Sequence, residues 1–143
     1  MLAGLQKYSH RQIQQRASSP KFQVLNNALM SAVDGRALSE IRRDSDYWGR
    51  LTESCIGAHL LNSCMGTNFK VYYWRERNHE VDFVLQHGRD IVAIEVKSGK
   101  RREVLPGMEL FSKRFMPKRK LMVGGQGISV EEFLLKPISH WFD

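Results

Sequence analysis

Residues 79–97 read HEVDFVLQHGRDIVAIEVK, and the rest of the chain is organised around them. Apolar-rich runs on either side of Gly88-Arg89 mark two strands joined by a two-residue turn with glycine first. Counting outward from the turn pairs His87 with Asp90, Gln86 with Ile91, Val84 with Ala93 and Asp82 with Glu95. Strict alternation puts Glu80, Asp82 and Val84 on one face of the first strand, with Val81, Phe83 and Leu85 opposite. On the second strand Ile91, Ala93, Glu95 and Lys97 share a face. Two carboxylates then stand side by side, about 5 Å apart at Cβ, with Lys97 two residues further along.

Like charges opposed across a sheet are destabilising, so folding alone gives no reason for this pair. A hard divalent cation gives one, because Mg²⁺ takes carboxylate oxygens and keeps several of its waters. Such an ion orients an attacking water and stabilises charge developing on a phosphate, with a lysine assisting. The competing reading is an exposed strand face that carries charges.

Asp82, twelve intervening residues and then Glu95-Val96-Lys97 resembles the core motif of the PD-(D/E)xK nuclease-like superfamily. The segments WGRLTESCIGAHLL, VYYWRERNHEVDFVL and IVAIEVKSG, with SSPKFQVLNNALMSA nearer the start, resemble a domain of unknown function. That domain forms the C-terminal part of archaeal and bacterial AAA-type ATPases. The resemblance covers most of the chain. It implies a restriction-endonuclease-like αβββαβ core and Mg²⁺ or Mn²⁺ as cofactor. It implies DNA as substrate and an N-terminal ATPase region as partner within a longer protein. It also implies a helix glutamate leaning over the sheet toward the strand carboxylates, and Glu53 matches it in order and context. The catalytic set is then Glu53, Asp82, Glu95 and Lys97, with Glu53, Asp82 and Glu95 as metal ligands. Glu80 is a fourth acidic candidate, or a partner for Arg75.

The helix that carries Glu53 is expected from about Asp46 to Met65, with Trp48, Leu51, Cys55, Ile56, Ala58, Leu60 and Leu61 as its apolar positions. Gly49 and Gly57 lie one turn to either side of Glu53. Each costs roughly 1 kcal/mol relative to alanine in a helix. They leave room either for helix packing or for a backbone, ion or ligand close to Glu53.

The remaining elements follow from local signals. KFQVL (residues 21–25) is a short strand, and Ala28 to Val33 a helix capped by Asn26 or Asn27 and ended by Asp34-Gly35. Residues 36–46 begin as a charged loop. Phe69 to Arg75 is an aromatic strand with Tyr73 and Arg75 on one face and Tyr72 and Trp74 on the other. Glu103 to Phe115 is a helix with Pro106 in its first turn. Lys118 to Val123 is a strand, Ser129 caps a last helix, and Pro137 ends it, with Ile138 and Trp141 tucking back onto the domain. The expected architecture is α/β, a small mixed sheet flanked by helices. Residues 21–143 form this domain, and residues 1–20 form a polar arm or the remnant of a preceding region.

The chain has 143 residues, enough for one core, and a formal net charge of +7. Basic residues gather at Lys7, His10, Arg11, Arg16 and Lys21, and again after the motif. Of the second group, Lys100, Arg101, Arg102, Lys113, Lys118 and Arg119 are the candidate nucleic-acid contacts. A solvated surface is the plainer explanation for both runs. The five histidines and two cysteines have no zinc-type spacing. Cys55 and Cys64 stand about 13 Å apart along a helix, too far for a disulfide, which points to reduced thiols and the cytoplasm. There is no secretory signal and no apolar run of membrane-spanning length. No phosphate-binding loop occurs, and the glycines at 124–127 read as a turn, so ATP hydrolysis is not expected of these residues. Three functions remain open: a metal-dependent deoxyribonuclease, a nucleic-acid-binding module without cleavage, and a protein-interaction domain attached to an ATPase.

Overall fold

The hairpin forms in the register obtained by counting. In a computed structural model that describes residues 1–99 and 105–143, His79–His87 and Asp90–Lys97 pair antiparallel from His87↔Asp90 through Val84↔Ala93 to Phe83↔Ile94. Gly88 takes φ +60°, which the first position of this turn requires and a glycine adopts at little steric expense.

In chain order the elements are β1 (Leu2–Lys7), α1 (Gln12–Ala17), β2 (Lys21–Val24), α2 (Ala28–Asp34), α3 (Leu38–Arg43) and α4 (Ser45–Cys64). Then come β3 (Phe69–Glu76), β4 (His79–His87), β5 (Asp90–Lys97), α5 (Pro106–Phe115), β6 (Arg119–Gly124), α6 (Val130–Leu135) and a 3₁₀ turn at Ile138–Phe142. The six strands form one mixed sheet in the order β2-β1-β3-β4-β5-β6. β1 runs parallel to β3, and β5 parallel to β6. The run from α4 to β6 has the expected αβββαβ order.

Each face of the sheet carries its own core. On one side Ile56 and Leu60 of α4 and Phe133 of α6 pack with Phe83, Leu85, Val92, Ile94 and Trp141. On the other, Met108 and Phe111 of α5 pack with Trp74, Val81, Val84, Ile91 and Ala93. Tyr72 and Trp74 join the α5 side and Tyr73 the α4 side, as the alternation of β3 requires. Ser129 caps α6 by accepting from the Glu132 N–H at 3.1 Å.

Three departures from the sequence reading have local causes. Residues 2–7 are not an arm. They form β1, between β2 and β3, with Leu5 buried. Residues 38–43 are helical rather than loop, because the Glu40 carboxylate accepts from the Ala37 N–H at 3.0 Å and Ile41 is buried. The third departure is in β4. Tyr72 pairs with Val84 but Trp74 pairs with Val81, so Asp82 and Phe83 together stand opposite Tyr73. This bulge breaks the alternation: Val81 packs on the α5 side with Val84, while Phe83 packs on the α4 side. A bulge bends its strand and re-aims the side chain it carries.

Candidate functional site

The bulge lifts Asp82 out of the ladder. The β4–β5 pairing stops at Phe83↔Ile94, one step before the expected Asp82–Glu95 pair. The Val96 N–H instead donates to Asp82 Oδ2 at 2.8 Å, so a side chain satisfies a backbone group where the strands part. Glu95 is nonetheless close enough for its charge to act on the Asp82 carboxyl, and the Asp82 backbone acts on Glu95 in turn.

Three acidic groups meet here. Burial first, then Glu53 and Glu95, push the Asp82 carboxyl up to about 8, against the Val96 hydrogen bond and the charge of Lys21. Burial also raises Glu95, although Lys97 opposes it with its ammonium 3.3 Å from Glu95 Oε1. Glu95 Oε2 is buried with no hydrogen-bond partner. The structure therefore brings Glu53, Asp82, Glu95 and Lys97 to one place. Among the described residues, no group of three His, Cys, Asp or Glu side chains is arranged to hold a metal ion.

The orientation of Glu53 accounts for part of this. Its Oε1 accepts from Lys21 Nζ at 2.6 Å, and Lys21 also reaches Glu80 Oε1 at 3.3 Å. Burial pulls the Lys21 ammonium down. Glu53, by charge and hydrogen bond, with Asp82 and Glu80 adding charge, more than reverses this, so it stays protonated. Glu80 also pairs with Arg75, whose Nη2 lies 2.8 Å from Glu80 Oε2. Burial opposes ionisation of Glu80, but Arg75 and Lys21 outweigh it and hold its carboxyl below the usual range. Lys21 was legible only as one member of an N-terminal basic run. What could have found it is its place at the head of a short strand, on an element able to lie against the Glu53 helix.

Of the glycines beside Glu53, Gly57 serves packing. A Cβ on Gly57 would fall 2.2 Å from Gln23 Oε1 and 2.8 Å from Phe83 Cζ. Gln23 is buried against α4, donating to Ser54 O at 2.8 Å and to Val24 O at 2.9 Å. Gly57 thus admits β2 close to the helix, which brings Lys21 within reach of Glu53.

Two cavities adjoin the cluster. One of about 270 Å³ lies between Glu80, Glu95 and Lys97 and the start of α5 at Pro106–Met108. Another of about 290 Å³ lies past Lys97 and Ser98, beneath Trp48 and Thr52 of α4.

The candidate nucleic-acid contacts are spread more widely. Lys100, Arg101 and Arg102 lie outside the described residues. Lys118 is 3.6 Å from Asp90 and Arg119 pairs with Val92, both toward the turn end of β5. Lys97 is seven residues beyond Asp90, about 23 Å along the strand. Lys113 is exposed in the last turn of α5, whereas the first turn of that helix borders Glu95. These three basic residues are therefore not gathered at the carboxylates. Cys55 and Cys64 carry free thiols, and no described helix is long and apolar enough to cross a membrane.

The molecule is thus an α/β domain with a half-buried acidic cluster where its central hairpin opens. Its sequence matches the family described as Domain of unknown function (DUF4143) over residues 48–136, more than half of the chain, and the chain belongs to that family. Glu53, Asp82, Glu95 and Lys97 fall inside the matched segment, and Lys21 precedes it. No curated protein and no solved structure matches the chain.

Proposed function

We propose that this chain is a nuclease-like domain that binds DNA and hydrolyses its phosphodiester bonds with Mg²⁺ or Mn²⁺, as the C-terminal part of an AAA-type ATPase. The observation that carries this reading is the half-buried Asp82–Glu95 pair, with Asp82 pushed up to about 8 and Glu95 Oε2 unpartnered. A buried carboxylate oxygen without a partner suits a dication, and the donors beside it are all oxygen, the type that Mg²⁺ takes. Asp82 and Glu95 would hold the ion, and Glu53 would join them if released from Lys21. Bound there, the ion supplies a polarised water and stabilises charge on the phosphate. Lys97, which pairs with Glu95 and lines the neighbouring cavity, would donate to a phosphate oxygen there. Lys100, Arg101 and Arg102, directly after the motif, are the proposed backbone contacts near the site. Lys113, Lys118 and Arg119 would serve a duplex that runs the length of β5, roughly seven base pairs.

One observation favours a second reading. Lys21 already supplies an internal cation to Glu53 and Glu80. A domain that keeps this arrangement would bind nucleic acid, or dock a partner for the ATPase, without cleavage. Calorimetric titration of Mn²⁺ separates the two readings, run beside an Asp82→Ala/Glu95→Ala double variant and a cleavage assay on linear and branched DNA. Mn²⁺ binding and cleavage, both lost in the double variant, are expected for the nuclease. Salt-sensitive DNA affinity indifferent to those substitutions, with no cleavage, would sink it in favour of the binding module.

A further inference from the structure

The acidic cluster contains a positive group that its own motif does not call for. Lys21 comes from the edge strand β2, outside the run of elements that carries Glu53, Asp82, Glu95 and Lys97. Its Nζ lies 2.6 Å from Glu53 Oε1, 3.3 Å from Glu80 Oε1 and 5.7 Å from the centre of the Phe83 ring. We infer that Lys21 holds the place of a divalent cation in the metal-free domain, and that the ion loads by displacing its ammonium group from Glu53. This rests on the metal-binding reading above and adds to it a competitor built into the fold.

The surroundings of Lys21 are suited to exchange. Its backbone is fixed: Lys21 pairs with Leu5 on β1, and the Tyr73 hydroxyl donates to Ser19 O at 2.6 Å. The side chain above it is a flexible four-carbon stem with a strongly hydrated point charge. It is 25% exposed, so it can turn toward water without unpairing the sheet. Glu80 keeps a partner when Lys21 leaves, because Arg75 holds its other oxygen through both Nε and Nη2. Departure of Lys21 therefore falls chiefly on Glu53, whose carboxylate becomes available as the third member of the cluster. The groups facing Lys21 are Glu53 from α4, Glu80, Asp82 and Phe83 from β4, with Arg75 behind Glu80. A positive charge about 6 Å from a dication in a water-like medium lowers its affinity on the order of tenfold, and more where the medium is drier.

The test uses the whole chain and Mn²⁺ alone as the probe. Mn²⁺ affinity is measured by calorimetry for the unaltered protein, Lys21→Met, Lys21→Gln and the charge-preserving Lys21→Arg, each checked for native circular dichroism. In parallel, the reactivity of Lys21 in the unaltered protein toward an amine-acylating reagent is followed by peptide mass spectrometry, with and without saturating Mn²⁺. This second arm needs no variant to fold. The expected results are about tenfold tighter binding in Lys21→Met or Lys21→Gln, no such gain in Lys21→Arg, and faster acylation of Lys21 when Mn²⁺ is bound. Unchanged or weaker Mn²⁺ binding in the neutral variants, or acylation that Mn²⁺ leaves unaltered, overturns the displacement while the metal reading stands. No Mn²⁺ binding by any of the four proteins overturns both.

Discussion

At its turn, the β4–β5 hairpin closes in register around Gly88, and its middle carries Phe83, Leu85, Val92 and Ile94 into the core beneath α4. About 13 Å from the turn pair along the same strands, four residues at about 3.3 Å each, the ladder stops, and Asp82, Glu95 and Lys97 occupy the parted end. The first region satisfies its backbone with backbone and buries hydrocarbon. The second satisfies the Val96 N–H with a carboxylate and buries charge. One pair of strands thus provides both rigidity and a site. The bulge at Asp82-Phe83 is where one gives way to the other: Phe83 anchors the closed half and its neighbour Asp82 belongs to the open half.

Substitutions on either side of that boundary should behave oppositely. The largest effect is expected from Phe83→Ala, which empties a fully buried position and should destabilise by about 3–5 kcal/mol in urea denaturation. One residue away, Asp82→Asn should stabilise the metal-free domain at pH 7, by about 1–3 kcal/mol, since it removes a carboxyl that must take up a proton on folding and leaves an oxygen for the Val96 N–H. A loss of stability in Asp82→Asn would show that the open end is held together by its charges, contrary to this account.

The pH dependence sharpens the same contrast. The Asp82 carboxyl is held at about 8 in the folded chain, against 3.8 ordinarily. The folded state therefore keeps a proton that the unfolded state has released, so stability should fall as pH rises from about 4 to 8 and level off above. Asp82→Asn should flatten that slope in thermal melts across the range, and Phe83→Ala should lower the whole curve without flattening it.

Smaller effects separate the two glycines on α4. Gly57→Ala meets Gln23 and the Phe83 ring, and should cost about 1–3 kcal/mol despite the better helix former. Gly49→Ala meets only the Ser98 hydroxyl at 3.1 Å, a group able to move, and should lie within about 1 kcal/mol of the parent. Smallest of all should be the loss of the exposed Arg114–Glu76 pair by Arg114→Ala, which solvent screening should leave unresolved from the parent in urea denaturation.

The hairpin was legible because its information is local: a glycine turn fixes the register and apolar alternation fixes the faces. Glu53 was legible through its place on an apolar-faced helix between two glycines. The bulge was not, since HEVDFVLQH alternates well enough on its own and only pairing with Tyr72 and Trp74 forces the extra residue. β1 was missed for a similar reason. Its LAGLQK has little strand propensity, and its placement comes from partners about 20 and 65 residues away. Lys21 shows the same limit most clearly, because the charge that completes the cluster is brought there by an edge strand and by the missing side chain of Gly57.

The position of β1 between β2 and β3 also orders events as the polypeptide leaves the ribosome. β1 and β2 can pair as soon as β2 has emerged, but the parallel ladder from Gln6 and Lys7 to Tyr72 and Tyr73 must wait for β3. Lys21 is therefore made early, on a strand pair with nowhere to dock. It meets Glu80 and Asp82 only after the central hairpin has been synthesised, so the charged cluster cannot come together until β4 and β5 are both made.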